Sequence, residues 1–378
     1  MQQRLPADLD WLPALREPAL TTPWPLQRWE TVIRLARRLR LLGRLADSVL
    51  AADHAQYLPE VVLRHLQAEQ RMSRHMTRAQ AWVIERVASR LAGGPGPLVL
   101  LKGSAYLGQD LPIAQGRLPS DVDILVPQAQ LAQVQAALAA AGWSETEMDA
   151  HDQRYYREWS HEVPPMRHQA HLLELDLHHN ILPPVSATTV SADALLARLE
   201  PSRFPGWQVL HPQDQFLHSA SHLFHDSEVR GRLRDLVDMD GLSRHFGADP
   251  AFWSGLPARA RELGLSESLA LACHFLVNWL QTPIPGSALN DIRAAGPQGF
   301  KRWWLQSLFT TLLAPTHPDE LPPARQEWAA QALLLRYHLW RMPLRILLPH
   351  LWHKWRVTRR AAAEDAAQAA KALKHQAD

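Results

Sequence analysis

Asp121 and Asp123 constrain this chain more than any other feature, because they open a segment that then becomes wholly apolar. The run 120–126 reads Ser-Asp-Val-Asp-Ile-Leu-Val, with one residue between the two carboxylates. Side chains alternate between the faces of a strand, so the two acids would share one face while Val122 and Ile124 share the other. A cation offsets the repulsion between two such acids, and Mg²⁺ commonly takes one or two carboxylates as ligands. The alternative is a solvated turn that leads into a buried strand.

A second strand is predicted just before this segment. The apolar run 98–101 has the length of a strand and ends in Lys102-Gly103-Ser104, after which the sequence can continue as a helix. A small residue at a strand-to-helix turn lets a phosphate approach the backbone, and the Ser104 hydroxyl and Lys102 ammonium would add to such a site. The alternative is an ordinary tight turn.

A third strand, at 171–179, is predicted from strict alternation of apolar and polar residues. Its inward face would carry leucines, and its opposite face could supply a third carboxylate to a metal. The alternative is an amphipathic strand with a solvated polar face. The polar positions are Glu174, Asp176 and His178.

In this order, the three segments resemble the nucleotidyltransferase superfamily with the DNA polymerase β-like palm. More narrowly, they look like an uncharacterised group of bacterial nucleotidyltransferase family proteins. The resemblance covers roughly 98–180 and continues more loosely through 218–242. The interval between Gly103 and Asp121 is longer than in minimal members, so an extended helix or loop is expected there. The matching residues are Leu101-Lys102-Gly103, Arg117, the run 120–126 and Leu175-Asp176-Leu177-His178.

The resemblance implies transfer of a nucleoside monophosphate from an NTP such as ATP to an acceptor hydroxyl or phosphate, with release of pyrophosphate. It implies two Mg²⁺ ions, for which Mn²⁺ can substitute. The metal-binding and catalytic residues would be Asp121, Asp123 and Asp176, the last also as general base. The nucleotide-binding residues would be Lys102, Gly103, Ser104, Arg117 and Ser120. Contacts to the acceptor, or support for the other residues, would come from Glu174, His178, His222, Arg234 and Asp238. The main rival is a non-catalytic nucleotide sensor or scaffold that keeps the palm.

The predicted fold class is α+β, with a polymerase β-like palm made of a small mixed sheet and flanking helices. An α-helical N-terminal lobe is expected over 1–95, the palm over 96–188, an α-helical C-terminal domain over 189–358 and an Ala-rich tail over 359–378. Apolar residues at three- and four-residue spacing indicate the helices, and the Gly/Pro cluster at 93–97 marks the first boundary. The run 155–159 is interpreted as a further strand.

His218, His222 and His225 are spaced to share one face of a predicted helix. Histidine is a common metal ligand, so this face is either a metal- or phosphate-facing stripe or a packing surface. Both interpretations stay open at this stage.

Composition narrows the class of partner. A net charge of +2 argues against a long nucleic acid, which favours a small molecule, sugar phosphate or peptide as acceptor.

The single cysteine, Cys273, excludes an intramolecular disulfide and a multi-cysteine zinc site. The sequence shows neither a signal peptide nor a membrane-spanning stretch, so a cytoplasmic protein is expected. The run 333–356 mixes Trp and Leu with Arg and Lys, which favours packing on the helical domain or contact with an anionic inner-membrane surface.

Overall fold

The fold is described here from a computed structural model. It covers residues 5–349 except 52, 95, 147 and 149, together with Trp352, Arg356 and Arg359. The predicted Ala-rich tail lies outside the described residues, apart from Arg359.

Three helices build the N-terminal part of the chain: α1 (Leu26–Arg38), α2 (Leu42–Ala51) and α3 (Glu60–Leu91). Helix α1 buries Trp29, Val32 and Ala36, which recur at the three- and four-residue spacing of one helical face. Helix α1 packs against α2 and α3.

A mixed sheet occupies the centre of the molecule. Its elements begin with β1 (Leu98–Leu100), α4 (Lys102–Gly108), β2 (Asp121–Leu125), α5 (Leu131–Ala140) and β3 (Trp143–Glu145). They continue with α6 (Ala150–Trp159), β4 (Met166–His168), β5 (Glu174–His178), α7 (Ala192–Leu196), β6 (Leu199–Pro201) and β7 (Trp207–Leu210). The strand order is β3-β4-β5-β2-β1-β7-β6, with the pairs β2–β5 and β1–β7 parallel and the other neighbours antiparallel.

The sheet and its flanking helices confirm the predicted α+β fold. Two strands, β6 and β7, come from beyond residue 188 and extend the sheet on the side of β1. The strand predicted at 155–159 is wrong, because these residues lie in helix α6. The ion pair between Arg154 Nε and Glu158 Oε1, 3.0 Å apart and one helical turn apart in sequence, is typical of a helix.

The pairing of β2 with β5 fixes the position of the polar residues. Asp123 lies directly beside Asp176, and Asp121 beside Glu174. Neighbours in register point to the same side of a sheet, so the polar faces of both strands coincide. The opposite faces, with Val122 and Leu175 among them, are fully buried.

The remaining helices follow the sheet. They are α8 (Pro212–Phe224), α9 (Leu233–Phe246), α10 (Pro250–Glu262), α11 (Ser266–Leu280), α12 (Gly286–Ala295), α13 (Gly299–Leu313) and α14 (Ala324–Arg341). The first turns of helix α9 contact the loop before β2, through Arg234 and Asp238. Among the described residues, no helix has the length and apolar character needed to cross a bilayer.

Candidate active site

Three carboxylates converge on the polar side of β2 and β5. Asp121 and Asp123 come from β2, and Asp176 comes from β5 at the position paired with Asp123. Burial and the adjacent Asp123 carboxylate raise the pKa of Asp176 to about 7, and the same two causes raise the pKa of Asp121. The raised pKa values of Asp121 and Asp176 mean that this cluster of carboxylates disfavours further negative charge and favours a bound cation or a proton.

Asp123 is the most strongly compensated of the three. Lys102 Nζ donates to Asp123 Oδ1 over 2.8 Å, and His178 Nε2 lies 3.1 Å from the same oxygen. Burial alone would raise the pKa of Asp123, but the Lys102 ammonium and the His178 hydrogen bond outweigh it and hold that pKa well below its usual range. Asp123 is therefore ionised at neutral pH.

Lys102 reaches Asp123 from a strained backbone. Its φ is 46°, in the left-handed region that residues other than glycine rarely adopt. Strain of this kind is kept where the surrounding structure fixes it, and it concentrates at functional sites. The next residue, Gly103, leaves room for a guanidinium, because a Cβ there would lie 2.1 Å from Arg117 Nη1.

The carboxylates line one side of a cavity of about 410 Å³. The same cavity is also lined by guanidinium groups from three distant parts of the chain, which we call its arginine side: Arg40, Arg117, Arg232 and Arg234. Arg40 and Arg234 both donate to the carbonyl oxygen of Leu118, each over 3.1 Å. Burial and the nearby charge of Arg117 lower the pKa of both groups, that of Arg234 to about 10. This side of the cavity therefore favours an anion.

A buried ion network holds the arginine side in place. Arg117 Nε donates to Asp238 Oδ2 over 3.0 Å, and Arg44 donates to Asp238 Oδ1. These residues come from α9, from the loop before β2 and from α2, so the network joins three parts of the fold. The Arg117 guanidinium also lies over the ring of Tyr106, 5.7 Å from its centroid.

Comparison with known proteins shows the family to which the chain belongs. A family model described as "Uncharacterised nucleotidyltransferase" matches residues 25–281. The chain belongs to this family of nucleotidyltransferases. No curated protein and no solved structure matches the chain.

The family match confirms the resemblance drawn from the sequence, and it runs from just before α1 to the end of α11. The helices α12 to α14 lie beyond it. Nucleotidyltransferases commonly use divalent metals, and the donor set here fits one. Asp121, Asp123 and Asp176 offer hard carboxylate oxygens on adjacent strands, the ligand type that Mg²⁺ prefers.

The structure brings most of the predicted site residues together. The cavity is lined by Lys102, Arg117, Ser120, Asp121, Asp123, Asp176, His222, Arg234 and Asp238. Gly103 and Ser104 lie behind this surface. Ser104 is fully buried, and its hydroxyl accepts a hydrogen bond from Gln80 Nε2 over 3.2 Å. The predicted phosphate contact of Ser104 stays a prediction, and its observed contact is to α3.

Glu174 and His178 share the strand face of Asp176 but have different surroundings. Glu174 is half-buried, with its side chain 41% exposed, and accepts a hydrogen bond from Arg167 Nε over 2.6 Å. His178 is buried and contacts Asp123 directly. The same face of β5 thus runs from solvent at Glu174 to the interior at His178.

His218 and His222 of α8, and His225 directly after it, also differ in their surroundings. His222 lines the cavity and accepts a hydrogen bond from Arg232 at Nδ1. His218 is buried nearby, with its ring centroid 6.2 Å from that of His222. His225 instead stacks on Trp340 at a centroid distance of 4.1 Å. Burial lowers the pKa of all three, so they are neutral at pH 7.

Sequence reasoning missed several residues of the cavity: Arg40, Tyr106, Glu162, Arg232 and Asp235. Glu162 lies in the loop before β4, where it pairs across a single bridge with His178. Its sequence surroundings carry no motif. The weak signal for Arg40 is the excess of arginine at the end of α1, which by itself is typical of a solvated helix end.

Proposed function

We propose that this protein is a Mg²⁺-dependent nucleotidyltransferase that transfers a nucleoside monophosphate from an NTP to an acceptor hydroxyl or phosphate and releases pyrophosphate. The observation that carries the proposal is that one cavity is lined both by the three carboxylates of β2 and β5 and by the guanidinium groups of the arginine side. Such a cavity suits a ligand that combines a divalent cation with a chain of phosphates.

On the carboxylate side, Asp121, Asp123 and Asp176 would hold the metal ions. When bound, Mg²⁺ supplies positive charge that polarises the phosphate oxygens and stabilises charge as the bond breaks. The Lys102 ammonium already balances Asp123, so the ionised carboxylate is present before any ligand arrives.

On the arginine side, Arg40 and Arg234 would bind the phosphates. Both point at one backbone carbonyl and carry a lowered pKa, so an anion between them relieves the repulsion between like charges. Guanidinium groups match phosphate oxygens in bidentate geometry, which fixes the orientation of the leaving pyrophosphate. Arg117, held by Asp238, adds long-range positive charge.

Asp176 would take the proton from the acceptor hydroxyl. A general base must lie within hydrogen-bond reach of the proton that it takes, and Asp176 lines the cavity beside Asp123. Positioning and electrostatics supply most of the acceleration in phosphoryl transfer, and the same logic applies to transfer of a nucleotidyl group.

A thermal-shift panel tests the proposed ligand. The wild-type protein should be stabilised by at least one of ATP, CTP, GTP and UTP, and only with Mg²⁺ present. A ligand at about 100 times its Kd stabilises the folded state by about 2.7 kcal/mol. The Asp121→Asn/Asp123→Asn double variant should lose this shift. A wild-type protein that shows no shift with any NTP would favour the scaffold interpretation over the enzyme.

A second candidate function is contact with an anionic membrane surface through the last described helices. Trp328, Leu335 and Leu339 recur at seven- and four-residue spacing on α14, and they are 76%, 61% and 52% exposed. The segment 299–359 contains nine Lys and Arg residues against three Asp and Glu residues. Exposed Trp and Leu beside an excess of positive charge favour binding to an anionic bilayer surface.

Co-sedimentation with vesicles tests this second candidate. The full-length protein should bind vesicles that contain phosphatidylglycerol and not vesicles of pure phosphatidylcholine. The triple variant Trp328→Ser/Leu335→Ser/Leu339→Ser should bind at least 10-fold more weakly, because the loss of even one buried apolar side chain, about 1.5–3 kcal/mol, lowers affinity by 10-fold or more. A control variant, Leu26→Ser/Val61→Ser, changes exposed apolar residues elsewhere and should bind normally. Equal binding by the triple variant would exclude α14 as the contact surface.

A further inference from the structure

His161, Glu162 and His178 form a compact cluster next to the proposed catalytic carboxylates. One ligand atom of each residue lies within 4.8 Å of those of the other two. Glu162 Oε2 lies 3.3 Å from His178 Nδ1 and 3.9 Å from His161 Nε2. Two atoms bound to the same tetrahedral zinc ion at about 2.0–2.1 Å lie about 3.4 Å apart, so these separations suit a shared cation.

The hydrogen bonding of His178 supports a cation at this place. Its Nε2 contacts the Asp123 carboxylate, which only accepts hydrogen bonds, so Nε2 carries the proton. In a neutral ring, Nδ1 then presents a lone pair to the Glu162 carboxylate. This Nδ1 is buried and has no hydrogen-bond partner among the described residues. In that neutral state two electron-rich atoms would face each other, and either a second proton on the ring or a cation between them removes the repulsion. Asp123 and Glu162 outweigh burial and raise the pKa of His178, so the metal-free ring favours the proton and a bound ion would take its place.

The backbone holds the cluster in place. His179 N donates to the carbonyl of His161 over 2.9 Å, and Val163 N donates to the carbonyl of Leu177 over 3.0 Å. The loop that carries His161 and Glu162 is therefore fixed against the end of β5 on both sides of Glu162. Ligands held on paired backbone segments lose little entropy when they bind an ion.

We infer that His161, Glu162 and His178 form a site for a divalent transition metal ion of the zinc class, separate from the proposed Mg²⁺ site. Two imidazole nitrogens and one carboxylate suit Zn²⁺, whereas Mg²⁺ prefers oxygen ligands alone. His178 connects the two sites, because its Nδ1 would bind the ion while its Nε2 holds Asp123. A carboxylate–histidine–metal arrangement of this kind fixes the ring and orients the carboxylate. His161 and Glu162 thus become positioning residues that act through His178.

Metal binding by the full-length protein tests this inference. After treatment with a chelator, and with excess Mg²⁺ present to fill the carboxylate site, the protein should take up a single Co²⁺ ion per chain with the visible absorption of a nitrogen- and oxygen-ligated ion. Zn²⁺ should displace that ion in competition with a chromogenic chelator. His161→Asn and Glu162→Gln should each weaken this binding by about 10-fold or more.

Two controls locate the ion. Asp121→Asn changes a carboxylate of the proposed Mg²⁺ site and should keep the Co²⁺ signal. His179→Asn changes the neighbouring histidine, whose Nε2 lies 3.0 Å from the carbonyl oxygen of Ser160, and should keep it too. Circular dichroism checks that each variant is folded. The inference is overturned if the wild type binds no Co²⁺, if His161→Asn binds it as tightly as the wild type, or if Asp121→Asn abolishes the signal. The readout needs no NTP, so it is independent of the thermal-shift panel.

Discussion

Asp123→Asn should reduce nucleotidyl transfer by about 10³-fold while leaving the fold intact, because removal of one preorganised electrostatic group at a reaction centre costs on the order of 10²–10³ in rate. Asp123 is the carboxylate that stays ionised at neutral pH, since Lys102 and His178 both compensate it. The asparagine oxygen can still accept both hydrogen bonds, so the change removes charge more than packing. Pyrophosphate release from the NTP chosen by thermal shift, with a small-molecule extract as source of acceptor, measures the effect.

Asp176 and Glu174 provide a matched pair for the same experiment. Both are acids on one face of β5, two residues apart. Asp176 lines the cavity, whereas Glu174 does not line it and pairs with Arg167. Asp176→Asn should therefore lose activity as Asp123→Asn does, and Glu174→Gln should keep it within a few-fold. If Glu174→Gln is as impaired as Asp176→Asn, the reaction depends on the Glu174 end of β5 as well, and the assignment of the site to Asp176 is wrong.

The local sequence predicted the elements that carry the carboxylates. Alternation at 171–179 and the acid-to-apolar change at 120–126 each follow from one strand with one buried face. Both strands are present, as β5 and β2. What the sequence could not give is the register that places Asp123 beside Asp176, because pairing between strands about 50 residues apart depends on the whole sheet.

The arginine side of the cavity was harder to predict for the same reason. Arg40 follows α1, while Arg232 and Arg234 lie at the start of α9. The family resemblance pointed to Arg234, but nothing in the local pattern distinguishes Arg40 or Arg232 from arginines on a solvated helix. The backbone conformation of Lys102 was also beyond prediction from the sequence. Its predicted phosphate contact stays a prediction, and in the structure its backbone is left-handed and its ammonium donates to Asp123. A conformation with positive φ at a lysine cannot be read from the sequence alone.

Asp238→Ala should destabilise the protein by about 3–5 kcal/mol, the range for breaking a buried ion pair by removing one partner. Asp238 is 3% exposed and accepts hydrogen bonds from both Arg117 and Arg44. Its removal leaves two mostly buried guanidinium groups without their carboxylate. The midpoint of urea unfolding, followed by circular dichroism, measures the loss. Asp319→Ala breaks an exposed pair with Arg34 and should leave the midpoint nearly unchanged.

The Asp238 network should also couple stability to ligand binding. Arg117 and Arg44 outweigh burial and lower the pKa of Asp238, so its contribution is present above the usual carboxyl pKa and is lost only as the pH falls below that range. Asp238→Asn keeps an acceptor for Arg117 but removes the charge, so we expect a smaller loss of stability than with alanine. If Asp238 acts by fixing Arg117 beside Gly103, the asparagine variant should fold and still bind the NTP more weakly than the wild type. If it binds the NTP as tightly as the wild type, the charge of Asp238 stabilises the junction of α2, α9 and the sheet without shaping the cavity.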